Sequence, residues 1–197
     1  LEELDHAIDA AGADPAVHGM IGNLWFDLKE GRKTYNIEDE RYRLLTAGAG
    51  IDKGSELDPT QKAAASDGRS PRRILSSTFS DELAAVGKGK AKVFGVSVKD
   101  RSAVAMAGHA GKAFWFSKAS GEFVTSNYYY EQYPEWVSRW NAKKLAASYA
   151  GKHWSLLHEP TAYRFGDADH RMWETNLPGY GRVFPHPYGK GTSRLFT

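Results

Sequence analysis

The stretch Ala91-Lys92-Val93-Phe94-Gly95-Val96-Ser97-Val98-Lys99-Asp100-Arg101-Ser102-Ala103 decides how the chain is read. Val93, Phe94, Val96 and Val98 are the β-branched and aromatic residues of a buried strand over 91–98. That strand runs straight into a Lys and an Arg two residues apart, which in an extended chain point to the same side. At a strand end the two form a rigid cationic pair suited to a phosphoryl group, Arg as a planar fork and Lys as a point charge. From spacing alone, Lys99 and Arg101 also read as surface charges with Asp100 as their local partner.

Outward from this strand, helices alternate with extended segments. A first helix is expected over 1–11, with Leu1, Leu4, Ile8 and Ala11 on one face and Gly12 as its stop. A second begins at Ser70 as cap and Pro71 in the first turn. Its stripe is Ile74, Leu75, Phe79, Leu83 and Val86, and it ends at Gly87. Segments 114–116 and 122–126 flank 117–121 as a β-hairpin. A third helix is expected over 134–150, with Trp136, Val137, Trp140, Leu145 and Tyr149 facing inward. Between these, Glu38-Asp39-Glu40-Arg41 reads as a solvated turn or helix end. Residues 48–69, rich in Gly, Ser, Asp and Ala, read as an insertion or mobile loop with at most a short helix. From His153 onward Pro, Gly and aromatics alternate without period, so an irregular C-terminal third is expected. The fold class is α/β or α+β, a mixed sheet with three main helices and a β-hairpin.

Composition excludes several functions. The formal charge is +2 over 197 residues, and the basic runs 69–73 and 88–92 are short, so no nucleic-acid partner is expected. No stretch approaches the roughly 18 apolar residues of a membrane span, and Glu2, Glu3, Asp5 and Asp9 stand where a signal peptide would be apolar. The absence of cysteine removes disulfides and thiolate metal sites. The aromatic content of 13% fits a packed core or interface, or a recognition surface.

A second segment carries chemistry. Gly12-Ala13-Asp14-Pro15-Ala16-Val17-His18-Gly19-Met20-Ile21-Gly22-Asn23-Leu24-Trp25-Phe26-Asp27 is a Gly-rich connection that sets one amide, Asn23, before an aromatic pair. An Asn aimed into a cleft can donate to an oxyanion; an Asn in such a place also simply forms turns.

Together the two segments resemble the phosphate-irrepressible alkaline phosphatases, relatives of the nucleotide pyrophosphatase/phosphodiesterase branch of the alkaline phosphatase superfamily. Ala107-Gly108-His109, the hairpin at Trp115, the aromatic helix around Trp136 and Phe184-Pro185-His186 extend the resemblance from about His6 to the C-terminus. It implies a phosphohydrolase with two zinc ions and a Thr nucleophile at a helix start, typically exported to the periplasm or secreted. By the resemblance Asn23, Lys99 and Arg101 contact the transferring phosphoryl group of a phosphate ester substrate. The cationic pair would favour a dianionic monoester over a diester.

The departures are as informative. The family's nucleophile position falls on Glu2, and residues 1–33 contain no Ser, Thr, Tyr or Cys. The family's zinc ligands come from before and after this stretch, so no metal ligand is expected here. Asp167-Ala168-Asp169-His170 and Asp5-His6-Asp9 have metal-ligand residue types but read as solvated positions. His109, His153, His158 and His186 are expected to be structural. The expectation is therefore the cap-bearing, phosphate-contacting portion of such an enzyme, inactive alone. Residues 1–30 would be a remnant of the nucleophile-helix region of the core and 31–197 a cap-like insertion. The alternatives are a non-catalytic binding module with an aromatic recognition surface, and a site completed by self-association or by a missing core segment.

Overall fold

The computed structural model describes residues 10–54, 56, 58–176 and 179–189, the side chain of Asp167 excepted. Of the expected first helix only Ala10 and Ala11 fall within it; Glu2, Asp5, His6 and Asp9 lie outside the described residues.

The structural centre is a parallel strand–helix–strand unit. Strand β3 (Phe94–Ser97) pairs parallel with β4 (Lys112–Ser117), and helix α4 (Asp100–Ala107) makes the crossover. Strand β5 (Glu122–Val124) returns antiparallel beside β4, Trp115 opposite Val124. This is the expected hairpin. Gly121 takes the left-handed φ of 72° that its turn requires and donates its N–H to the Ser117 carbonyl at 2.8 Å. The free side of β5 is met by a side chain: Asn141 accepts from the Phe123 N–H at 3.0 Å and donates to the Phe123 carbonyl at 2.8 Å.

The strand expected over 91–98 is shorter and lies at the sheet's edge among the described residues. Phe94, Val96 and Val98 are 46%, 58% and 42% exposed, because only one face of β3 rests on α4. That contact is close. A Cβ on Gly95 would collide with the Ala103 carbonyl and crowd Ala107, so a hydrogen is all the strand can present there.

Among the described residues three helices have eight residues each: α3 (Phe79–Val86), α4 and α5 (Glu135–Ala142). The second expected helix starts later than its proline suggests. Residues 71–74 form a turn, and the cap is Thr78, whose hydroxyl accepts from Asp81 N while Asp81 accepts from Thr78 N. Its stripe does not face inward; Ile74 is buried but Leu75, Phe79, Leu83 and Val86 are exposed. The third helix stops at Ala142 and is followed by a 3-10 turn at Ala147–Tyr149; only Val137 of its five apolar residues is buried.

Two hairpin strands, β1 (Leu24–Asp27) and β2 (Arg32–Tyr35), precede the central unit, and the short helix α1 (Pro15–His18) precedes them. Helix α2 (Pro59–Lys62) is the one short helix among the described residues of segment 48–69, and Gln61, Ala64 and Arg69 from that segment are buried. Glu38 and Asp39, expected in solvent, are 2% exposed. Glu38 pairs with Arg32 and accepts from Ala65 N, while Asp39 accepts from Arg41 and from Ser70 Oγ. Their charges are internal ties. The C-terminal part is irregular as expected, with β6 (His153–Trp154) against β7 (His186–Pro187) its only paired strands among the described residues. The core gathers Tyr35, Ile37, Ile74, Ala103, Val104, Ala107, Trp115 and Val124.

Candidate functional site

Lys99 and Arg101 do not project from an extended chain. Lys99 is the N-cap of α4 and Arg101 lies in its first turn. The helix begins here because Asp100 accepts from the Arg101 N–H at 2.8 Å, which suits the positive end of the helix dipole. Yet the structure brings the two cations together. Lys99 Nζ lies 3.1 Å and Arg101 Nη1 2.9 Å from the same oxygen, Asp58 Oδ2. Asp58 in turn caps α2, its Oδ1 accepting from Thr60 N at 2.9 Å and from Thr60 Oγ1 at 2.6 Å. Arg101 is buried, whereas the Lys99 side chain is 45% exposed.

Asp100 is not the pair's surface partner but the hub of a buried network. Its Oδ1 accepts from Tyr35 Oη at 2.8 Å and Gln61 Nε2 at 3.2 Å, and its Oδ2 from Arg69 Nε at 2.7 Å. Arg101 Nη1 donates to Tyr35 Oη at 3.2 Å and to Thr60 Oγ1 at 3.4 Å, tying both carboxylates into one group. Burial pushes Arg101 down to about 10, still cationic at neutral pH. Burial, with the Asp100 charge adding to it, raises the Tyr35 phenol well above its usual range, so it stays a donor. Burial tends to raise Asp58, but hydrogen bonds from Thr60 and Lys99 outweigh it and hold the carboxyl below its ordinary value.

Asn23 is tied to the first hairpin. It sits just before β1, where its carbonyl accepts from Asn36 N at 3.0 Å and its side-chain oxygen from Asn36 Nδ2 at 3.4 Å. Asn36 follows Tyr35, so the hairpin links Asn23 to the network through the backbone. Beside Lys99 opens a cavity of about 520 Å³ whose lining includes Asp58, Arg69, Trp115, Phe116 and Lys118. A second, of about 430 Å³, is lined by Phe123, Trp140, Leu145, Tyr149 and Tyr188.

The residues that organise the pair, Asp58, Arg69, Tyr35 and Gln61, were not singled out by the sequence. One signal was available: Asp58-Pro59 is a cap followed by a first-turn proline, a helix start inside the excursion. The two decoys resolve differently. Asp169 Oδ2 accepts from Phe184 N at 2.7 Å, a structural tie, while Asp5, His6 and Asp9 lie outside the described residues. His109 bridges Asp81, at 2.9 Å, and the Ile74 carbonyl, at 3.0 Å, and His186 stacks on Tyr180 at 4.3 Å between centroids. Among the described residues no three His, Asp or Glu side chains are grouped to hold a metal ion. No helix among them is long and apolar enough to cross a membrane.

No protein-family profile matches the chain. The alkaline phosphatase PhoV of Synechococcus elongatus is 33% identical over 194 residues, which is 98% of this chain and 32% of that protein. The alkaline phosphatase PafA of Elizabethkingia meningoseptica is 32% identical over 187 residues, 94% of this chain and 31% of that one. The crystal structure of wild-type PafA superimposes with a TM-score of 0.76 at 31% identity, covering 93% of this chain and 33% of the other. The chain thus spans about a third of the length of the relatives it matches and shares partial homology, and part of a fold, with them.

Proposed function

We propose that this chain, homologous to about a third of an alkaline phosphatase, furnishes the phosphoryl-binding face of a phosphohydrolase. Lys99 and Arg101 act as its cationic pair and Asn23 as an amide donor. One observation carries the proposal: both cations reach the same carboxylate oxygen, at 3.1 and 2.9 Å. Two cations held on one oxygen are already arranged for a phosphoryl oxygen, and their charge favours the dianion of a phosphate monoester. Residues 31–197 serve as a cap-like insertion over a catalytic core, with residues 1–30 belonging to that core. A periplasmic or secreted location follows from the same reading.

Bond cleavage is assigned elsewhere. Residues 1–33 hold no hydroxyl or thiol side chain, and the described residues hold no group of three metal-ligating side chains. The test pairs two measurements on the purified protein and its Lys99→Ala variant: aryl phosphate hydrolysis with and without zinc, and inorganic phosphate binding by calorimetry. The expected result is no zinc-dependent turnover, and phosphate binding weakened about tenfold or more in the variant, the worth of a hydrogen bond to a charged group. Phosphate binding indifferent to Lys99 sinks the proposal, and zinc-dependent turnover by the chain alone sinks the assignment of cleavage to other residues.

A second reading, a binding module, is favoured by the second cavity, where Trp140 and Tyr149 are 46% and 49% exposed. Quenching of tryptophan fluorescence by an aromatic ligand that carries no phosphate would support it over the first.

A further inference from the structure

The two oxygens of Asp58 have separate tasks. Oδ1 is spent on the start of α2, accepting from the Thr60 N–H and hydroxyl. Pro59 follows directly in the first turn and fixes the backbone that carries the carboxylate. Oδ2 is thereby aimed at Lys99 Nζ and Arg101 Nη1 and lies within 3.1 Å of both. The Asp58 side chain is 14% exposed and that of Arg101 4%, so water screens the Asp58–Arg101 contact little. Asp100 is matched by Arg69 at 2.7 Å, whereas Asp58 is paired with both Lys99 and Arg101.

We propose that Asp58 is a built-in competitor for the phosphoryl group: its Oδ2 occupies the acceptor position shared by Lys99 and Arg101, so an oxyanion binds only by sharing or displacing that carboxylate. This rests on the phosphoryl-binding role of Lys99 and Arg101 and adds a regulator of its strength. A dianion brought next to a fixed carboxylate is repelled, and the repulsion grows with the ligand's own charge. Inorganic phosphate is therefore held weakly and leaves readily. Because Oδ1 anchors the side chain to α2, Asp58 cannot swing clear without uncapping that helix.

The experiment is calorimetric titration of inorganic phosphate, at low and high salt, into the wild-type protein and into Asp58→Asn, Asp58→Glu and Lys99→Ala. Asn keeps the size and capping ability of the side chain but removes its charge; Glu keeps the charge. The expected result is phosphate binding about tenfold tighter in Asp58→Asn, with a steeper salt dependence, and binding near wild type in Asp58→Glu. A merely structural role would leave the salt dependence unchanged. Binding in Asp58→Asn equal to or weaker than wild type, while Lys99→Ala still loses it, overturns the competitor and leaves the phosphoryl-binding face standing. Binding unaffected by Lys99→Ala overturns both. Binding that is undetectable in wild type and measurable in Asp58→Asn supports the competitor; none in either overturns it.

Discussion

Helix α4 buries six of its eight residues, Asp100, Arg101, Ala103, Val104, Ala105 and Ala107, whereas α3, equally long, buries only Ser80. The more apolar helix is the more exposed one. Phe79 and Val86 of α3 are 70% and 82% open, and Leu75 just before it is 73%. The difference lies in what each helix can approach. The alanines of α4 let β3 close on it through Gly95, and its charged first turn is matched by Arg69, Tyr35 and Asp58. Helix α3 is instead held at its N-terminal end, through the Thr78–Asp81 box and the bond from Ser80 Oγ to the Met106 carbonyl. Capping decides where a helix forms; small side chains and matched charges decide how deeply it sits.

The most severe way to break the comparison is at the polar root of α4. Asp100→Ala strands Arg69 and the Tyr35 hydroxyl in the interior and is expected to cost about 3–5 kcal/mol. Urea unfolding followed by circular dichroism measures it, and a loss below 1 kcal/mol would mean that the network is ornamental. Acid sharpens the same side of the comparison. Burial acts to raise Asp39, but hydrogen bonds from Arg41 and Ser70 outweigh it and hold the carboxyl at about 2. A carboxylate depressed in the folded state contributes stability that is full well above its unfolded value of 3.8 and is lost as pH falls toward about 2. About 2 kcal/mol should disappear over that window and be absent from the acid limb of Asp39→Asn. The smallest effect is expected on α3. Val86→Lys on its open face should change stability by less than about 0.5 kcal/mol. A larger loss would show that this face is covered.

How much could be read in the sequence follows the same division. The hairpin around 117–121 was legible because its apolar runs and its glycine act locally, with Gly121 at φ 72°. Helix α4 was not. Asp-Arg-Ser-Ala-Val-Ala-Met-Ala carries one Val and one Met among small residues, and no stripe announces that the helix is buried. The stripe of α3 announced burial that the described residues do not supply. Lys99 and Arg101 were singled out by their residue types and spacing, and their convergence was expected for the wrong backbone. Their partner Asp58 is 41 residues from Lys99, and Asp100 meets Arg69, Gln61 and Tyr35 across 31, 39 and 65 residues. Contacts of that span follow from how loops are laid over the sheet, which no local pattern encodes.

The amide of Asn141 meets both the N–H and the carbonyl of Phe123, so this part of β5 offers no vacant hydrogen-bonding rung to another chain. One residue of α5 therefore does the work of a chain terminator: it makes the ladder finite, and two copies of the protein cannot be spliced together through that rung.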